Sequence, residues 1–146
     1  MKTPYDAALR TLQREVDDLR TSIGTAANRL TEIESMRQAV SDAIRSESAL
    51  AATDLSISPH AYLARARTER ARLVYERLAA DARLEALRHQ AMESYGSLRA
   101  MEGAAETYRE QAERDLASAE QGRIDDFAGA RFARALQTAR QGMIRS

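Results

Sequence analysis

Asp54-Leu55-Ser56-Ile57-Ser58-Pro59-His60 separates two stretches that read as helix throughout. Pro59 is one of only two prolines in the chain, Pro4 being the other. Proline has no amide hydrogen and its ring clashes with the preceding helical turn, so it breaks a helix interior. It suits the first helical position, and Ser58 before it is a good N-cap. Thr3-Pro4 gives the same start signal at the other end, with Asp6 three residues after Thr3 as the second half of a capping box. Two helix starts and one break predict an all-α chain folded as a two-helix antiparallel coiled-coil hairpin. Helix one is expected over about residues 4–53, the tip over 54–59 and helix two over about 59–141, in a single coiled-coil domain.

Working outward from the tip, the apolar positions of the first helix step by three and four: Leu9, Leu12, Val16, Leu19, Ile23, Ala26, Leu30, Ile33, Arg37, Val40, Ile44. Only Arg37 interrupts a repeat held over about five heptads, the pattern of a left-handed coiled coil. The second helix carries Leu63, Ala66, Arg70, Leu73, Arg77, Ala80, Leu84, Leu87, Ala91, Ser94, Leu98, Met101, Ala105, Tyr108 and Ala112 on one line. Gly122 and Gly129 are the expected places for it to fray or bend.

The two lengths do not match. At 1.5 Å per residue the first helix spans about 70 Å and the second about 120 Å. Folding about residue 57 leaves everything beyond about residue 112 without an intramolecular partner. That overhang is nevertheless patterned, with Leu116, Ala119, Ile124, Phe127, Ala128, Phe132 and Leu136. A patterned helix with nothing to bury against points to a binding partner or a frayed tail.

Composition narrows the function. Alanine is about a fifth of the chain, and A/E/L/R dominance favours a coiled coil over a sheet protein. Lys plus Arg and Asp plus Glu are both 22, a net charge of zero. That argues against a general nucleic-acid binder, whose affinity comes from neutralised phosphates. With no cysteine and only His60 and His89, no metal or nucleophile constellation forms, and no phosphate-loop or hydrolase motif is present. A two-helix hairpin also offers no pocket to perturb a carboxylate, so no enzymatic activity and no cofactor are expected. No apolar run approaches the ~18 residues of a membrane span, and Met1–Asp6 has no hydrophobic signal core. A soluble, cytoplasmic protein is expected, without direct membrane insertion.

The length, the break, the longer second helix and the stretch Ile124-Asp125-Asp126-Phe127-Ala128 with Arg131 and Arg134 after it resemble the FliJ family of the flagellar type III export apparatus. YscO-type relatives in virulence secretion share the layout. The resemblance implies a non-enzymatic coiled coil, cytoplasmic and peripheral to a membrane-embedded export complex. It implies docking on the hexameric export ATPase through the end carrying both termini, contact with the cytoplasmic domain of the export gate, and escort of export chaperones. Carried onto this chain, the ATPase-side candidates are Tyr5, Leu9, Asp126, Phe127, Arg131 and Phe132. The tip-side candidates are Leu50, Leu55, Ile57, Tyr62 and Tyr75. The residues alone leave two other readings open: a self-associating structural coiled coil, and a holdase-like chaperone gripping clients at the tip.

Overall fold

The computed structural model of the protein describes residues 1–54, 56 and 58–145. The fold is all-α: α1 (Asp6–Thr53) and α2 (His60–Arg145) pack together, and there is no strand among the described residues. The chain divides into two compact units, one of Arg10–Arg99 and one of Met1–Leu9 with Ala100–Ser146.

The start of α1 is a reciprocal cap. The Thr3 amide donates to Asp6 Oδ2 at 3.1 Å, and the Thr3 hydroxyl donates to Asp6 Oδ1 at 2.7 Å. The Tyr5 amide in turn donates to Thr3 Oγ1 at 3.3 Å. Pro4 and Tyr5 form a turn ahead of the helix, closed by Asp6 N–H on the Thr3 carbonyl. Thr3→Ala should cost about 1 kcal/mol at this cap. Faster amide exchange confined to residues 4–10 would register it; unchanged exchange would show that Asp6 alone holds the start.

At the far end of α1 the Asp54 carboxylate accepts from the Ser56 hydroxyl at 2.6 Å and the Ser56 amide at 3.0 Å. Those two bonds, the hydroxyl's first, hold its pKa below the ordinary aspartate value. The turn therefore keeps this contribution above the ordinary carboxylate range and loses it as pH falls through the lowered value. The second helix opens where Leu63 N–H donates to the Pro59 carbonyl at 2.8 Å. Proline there forfeits no helical hydrogen bond, because an amide at that position has no intrahelical acceptor.

Within Arg10–Arg99 the buried side chains are Val16, Leu19 and Ile33 from α1 and Leu73, Leu84, Leu87, Ser94 and Leu98 from α2. Ile33 (2% exposed) and Leu73 (0%) are the most enclosed of the large side chains. The remaining apolar positions of the α1 stripe from Leu12 to Ile44 are half-buried. One face of each helix is thus withdrawn from water at heptad spacing, and the gain is spread thinly along the length.

Two positions on the α2 line depart from expectation. Arg70 and Arg77 are exposed, and their neighbours Glu69 and Glu76 are half-buried instead. Glu69 pairs with Arg72 on the exposed face of α2, whereas Glu76 and Arg77 both reach charges on α1. Glu76 pairs with Arg72 on its own helix and with Arg29 of α1 at 3.6 Å. Arg77 Nε stands 2.5 Å from Glu34 Oε1 of α1, out of line for a hydrogen bond and so an ion pair. Glu69 is held by Arg72, whose hydrogen bond lowers the Glu69 pKa and raises its own.

Arg37, the one interruption of the α1 stripe, is half-buried and donates to Glu34 Oε2 at 3.2 Å. Its Nε is enclosed without a hydrogen-bond acceptor. Arg37→Leu removes this desolvated charge and extends the apolar stripe, while Arg77 still neutralises Glu34. The variant should be more stable than the parent by up to about 1 kcal/mol, read as a raised midpoint in urea. A lowered midpoint would show that the Arg37–Glu34 pair outweighs its desolvation.

Candidate partner-docking surfaces

The sequence-derived contacts fall into three places. Tyr5 and Leu9 are half-buried in the unit of Met1–Leu9 with Ala100–Ser146. The Tyr5 ring meets Tyr108 edge-on, centroids 6.3 Å apart at 81°, a favoured aromatic geometry. Thr3 and Ala105 are buried beside them in sequence. Tyr5 is thus first a packing residue, its free edge shared with a 43% exposed Tyr108.

Asp126, Phe127, Arg131 and Phe132 lie farther along α2. Ala112 is the last half-buried residue, and every residue from 113 to 144 is exposed. Phe127 and Phe132 are 64% and 67% exposed. Along the helix Asp126 is 18 positions past Tyr108, about 27 Å. Tyr5 and Leu9 therefore share no contact patch with the four tail residues. Gly122 and Gly129 lie in helical conformation, and a Cβ at either would meet nothing within 4 Å.

The two phenylalanines do not share a face either. Five residues apart, they point roughly 140° away from each other around the helix. Phe127 carries the Arg131 guanidinium over its ring, 5.9 Å from the centroid, a cation–π contact on an open surface. Phe132 belongs instead to a stripe of Ile124, Ala128, Phe132, Ala135, Leu136, Ala139 and Met143 at steps of three and four. The tail thus offers two chemistries: an aromatic–guanidinium patch on one side, and a small-residue apolar stripe on another.

The third place is in Arg10–Arg99. Leu50, Tyr62 and Tyr75 are exposed, while Leu55 and Ile57 lie outside the described residues. Tyr62 borders an open groove with Val40, Ala43, Arg65, Ala66 and Glu69. Tyr75, 76% exposed, has Val74 and Leu78 beside it, 43% and 61% exposed. Sequence reasoning passed over Val74 and Leu78 because it followed one stripe per helix. The spacing Ala71, Val74, Tyr75, Leu78, Ala82 is a second, outward-facing apolar line that the same step rule would have found.

His89 sits 3.3 Å from Glu93, one turn away on an exposed face. Among the described residues no three of His, Cys, Asp or Glu cluster as metal ligands, and no helix is long and apolar enough to cross a membrane. Comparison with protein-family models, with characterised proteins and with solved structures gives no match to this chain.

Proposed function

We propose that this protein is a non-enzymatic adaptor: an antiparallel coiled-coil hairpin whose C-terminal tail docks on another protein. The support for the hairpin is the order of cross-helix pairs within Arg10–Arg99. Glu15 meets Ser94, whereas Arg29 and Glu34, farther along α1, meet Glu76 and Arg77, earlier on α2. The observation that carries the docking reading is the uninterrupted exposure of residues 113–144, with Phe127 and Arg131 at its centre. A solvated phenylalanine capped by arginine is the kind of anchor that binding sites bury.

The specific reading is a component of a flagellar or type III export apparatus, cytoplasmic and peripheral to the membrane complex. The tail would meet the hexameric export ATPase, and the Val74–Tyr75–Leu78 patch with Tyr62 and Leu50 would meet the export gate's cytoplasmic domain or an export chaperone. This rests on the resemblance of Ile124–Arg134 and of the two-helix layout. Co-purification from the source cell with the full chain and a 120–146 deletion tests it. A hexameric ATPase recovered with the full chain alone supports the reading. Its absence from both samples would end it.

A further inference from the structure

The tail carries its charge in two blocks. Residues 113–126 hold five acids and two arginines, and residues 127–145 hold four arginines and no acid. One stripe, Ile124 to Met143, crosses both blocks on a single side, apolar except for Asp125, one heptad before Phe132. Its larger members Ile124, Phe132 and Leu136 are 60%, 67% and 47% exposed.

We propose that a second copy of this chain covers the stripe, the two tails running antiparallel in a register centred on Ala130. Direction follows from charge. A parallel pair would set acid beside acid and arginine beside arginine, which is repulsive. An antiparallel pair sets a block of net −3 along a block of net +4, twice over. Centring on Ala130 also brings like chemistry level. Ile124 falls opposite Leu136, Ala128 opposite Phe132, and Gln121 opposite Ala139. The alanines at 128, 135 and 139 let the helix axes approach closely around Phe132. Such a contact is two-fold and self-complementary, so it closes at two copies. Phe127 lies outside the covered side, so the pairing stands or falls independently of the export reading.

Sedimentation of the full chain at rising concentration should show a monomer–dimer equilibrium that weakens with added salt, since the attraction between the opposed charge blocks is screened. Phe132→Asp should weaken dimerisation by about tenfold or more, whereas Phe127→Asp should leave it unchanged. The chain has no cysteine, which makes single-cysteine cross-linking clean. Gln121→Cys mixed with Ala139→Cys should cross-link under mild oxidation. Each variant alone should not, because like positions stand about 27 Å apart in this register. Cross-linking within either single-variant pool would overturn the antiparallel register. A monomeric mass at every concentration would overturn the second copy as occupant and leave the stripe to a different partner.

Discussion

A chain ending at Ala119 is expected to melt where the 146-residue chain melts and, on the docking function proposed above, to bind no heterologous partner. Both halves follow from the exposure of residues 113–144. A residue that buries nothing contributes little beyond its own helical propensity, and an exposed helix without packing is marginal in water. At a concentration where the full chain is monomeric, the midpoint should therefore shift by no more than about 2 °C. The functional loss should be complete, because the Phe127–Arg131 patch leaves with the deletion. Differential scanning calorimetry and a pull-down on the same preparations check the two halves. A midpoint lowered by more than about 5 °C would mean that the tail packs on its own chain. Retained binding would move the docking surface to Tyr5 and Tyr108 or to the patch around Tyr75.

The second large effect is expected at Leu73. Its side chain is fully enclosed, while Leu78, five residues on, is 61% exposed. Leu73→Asp replaces buried hydrocarbon by a charge in a dry position. Truncation of a buried leucine alone costs about 2–5 kcal/mol, and desolvating the carboxylate adds to it. A thin two-helix core cannot redistribute that loss, so the Arg10–Arg99 unit should lose most of its helicity at room temperature. Leu78→Asp should shift stability by no more than about 0.5 kcal/mol. Circular dichroism of the two variants gives the contrast directly. Equal losses would mean that the Val74–Leu78 line is also packed in solution, and a folded Leu73→Asp would show that the seam runs elsewhere. Ile23, on the same α1 stripe but only half-buried, should give an intermediate result as Ile23→Asp.

The two effects separate what holds the protein together from what it presents. Stability resides in aliphatic side chains withdrawn from water on one face of each helix, Ile33 and Leu73 foremost, and in the Thr3–Asp6 cap. Presentation resides in side chains that the packing of the two helices does not need: Phe127 with Arg131, the Phe132 stripe, and Val74, Tyr75 and Leu78. In most globular chains a large apolar residue left in water is scattered and unremarked. Here the exposed ones align along helix faces, and alignment is what a partner helix or groove recognises.

How much of this was legible in the sequence depends on the kind of signal. The all-α class was legible, because proline chemistry and a 3–4 repeat act locally and need no knowledge of neighbours. The inward face of α1 was legible for the same reason: Val16, Leu19 and Ile33 are buried and the other apolar positions of the stripe from Leu9 to Ile44 half-buried. The unpartnered tail was legible as a mismatch of lengths, and its exposed residues carry it. The sequence line for α2 failed at Arg70 and Arg77, because heptad counting assigns position and takes no account of side-chain length. Only the packed helices decided that Arg70 stays exposed, that Arg77 reaches Glu34 of α1, and that Glu76 meets both Arg72 and Arg29. The grouping of the candidate contacts was likewise a matter of tertiary structure. Tyr5 and Leu9 are close to the tail in the list of terminal residues, but Tyr5 is spent on Tyr108, a full 27 Å or so from Asp126 along the helix. Periodicity tells which side of a helix turns away from water; what stands on the other side of the seam, and at what distance, is fixed only when the second helix is in place.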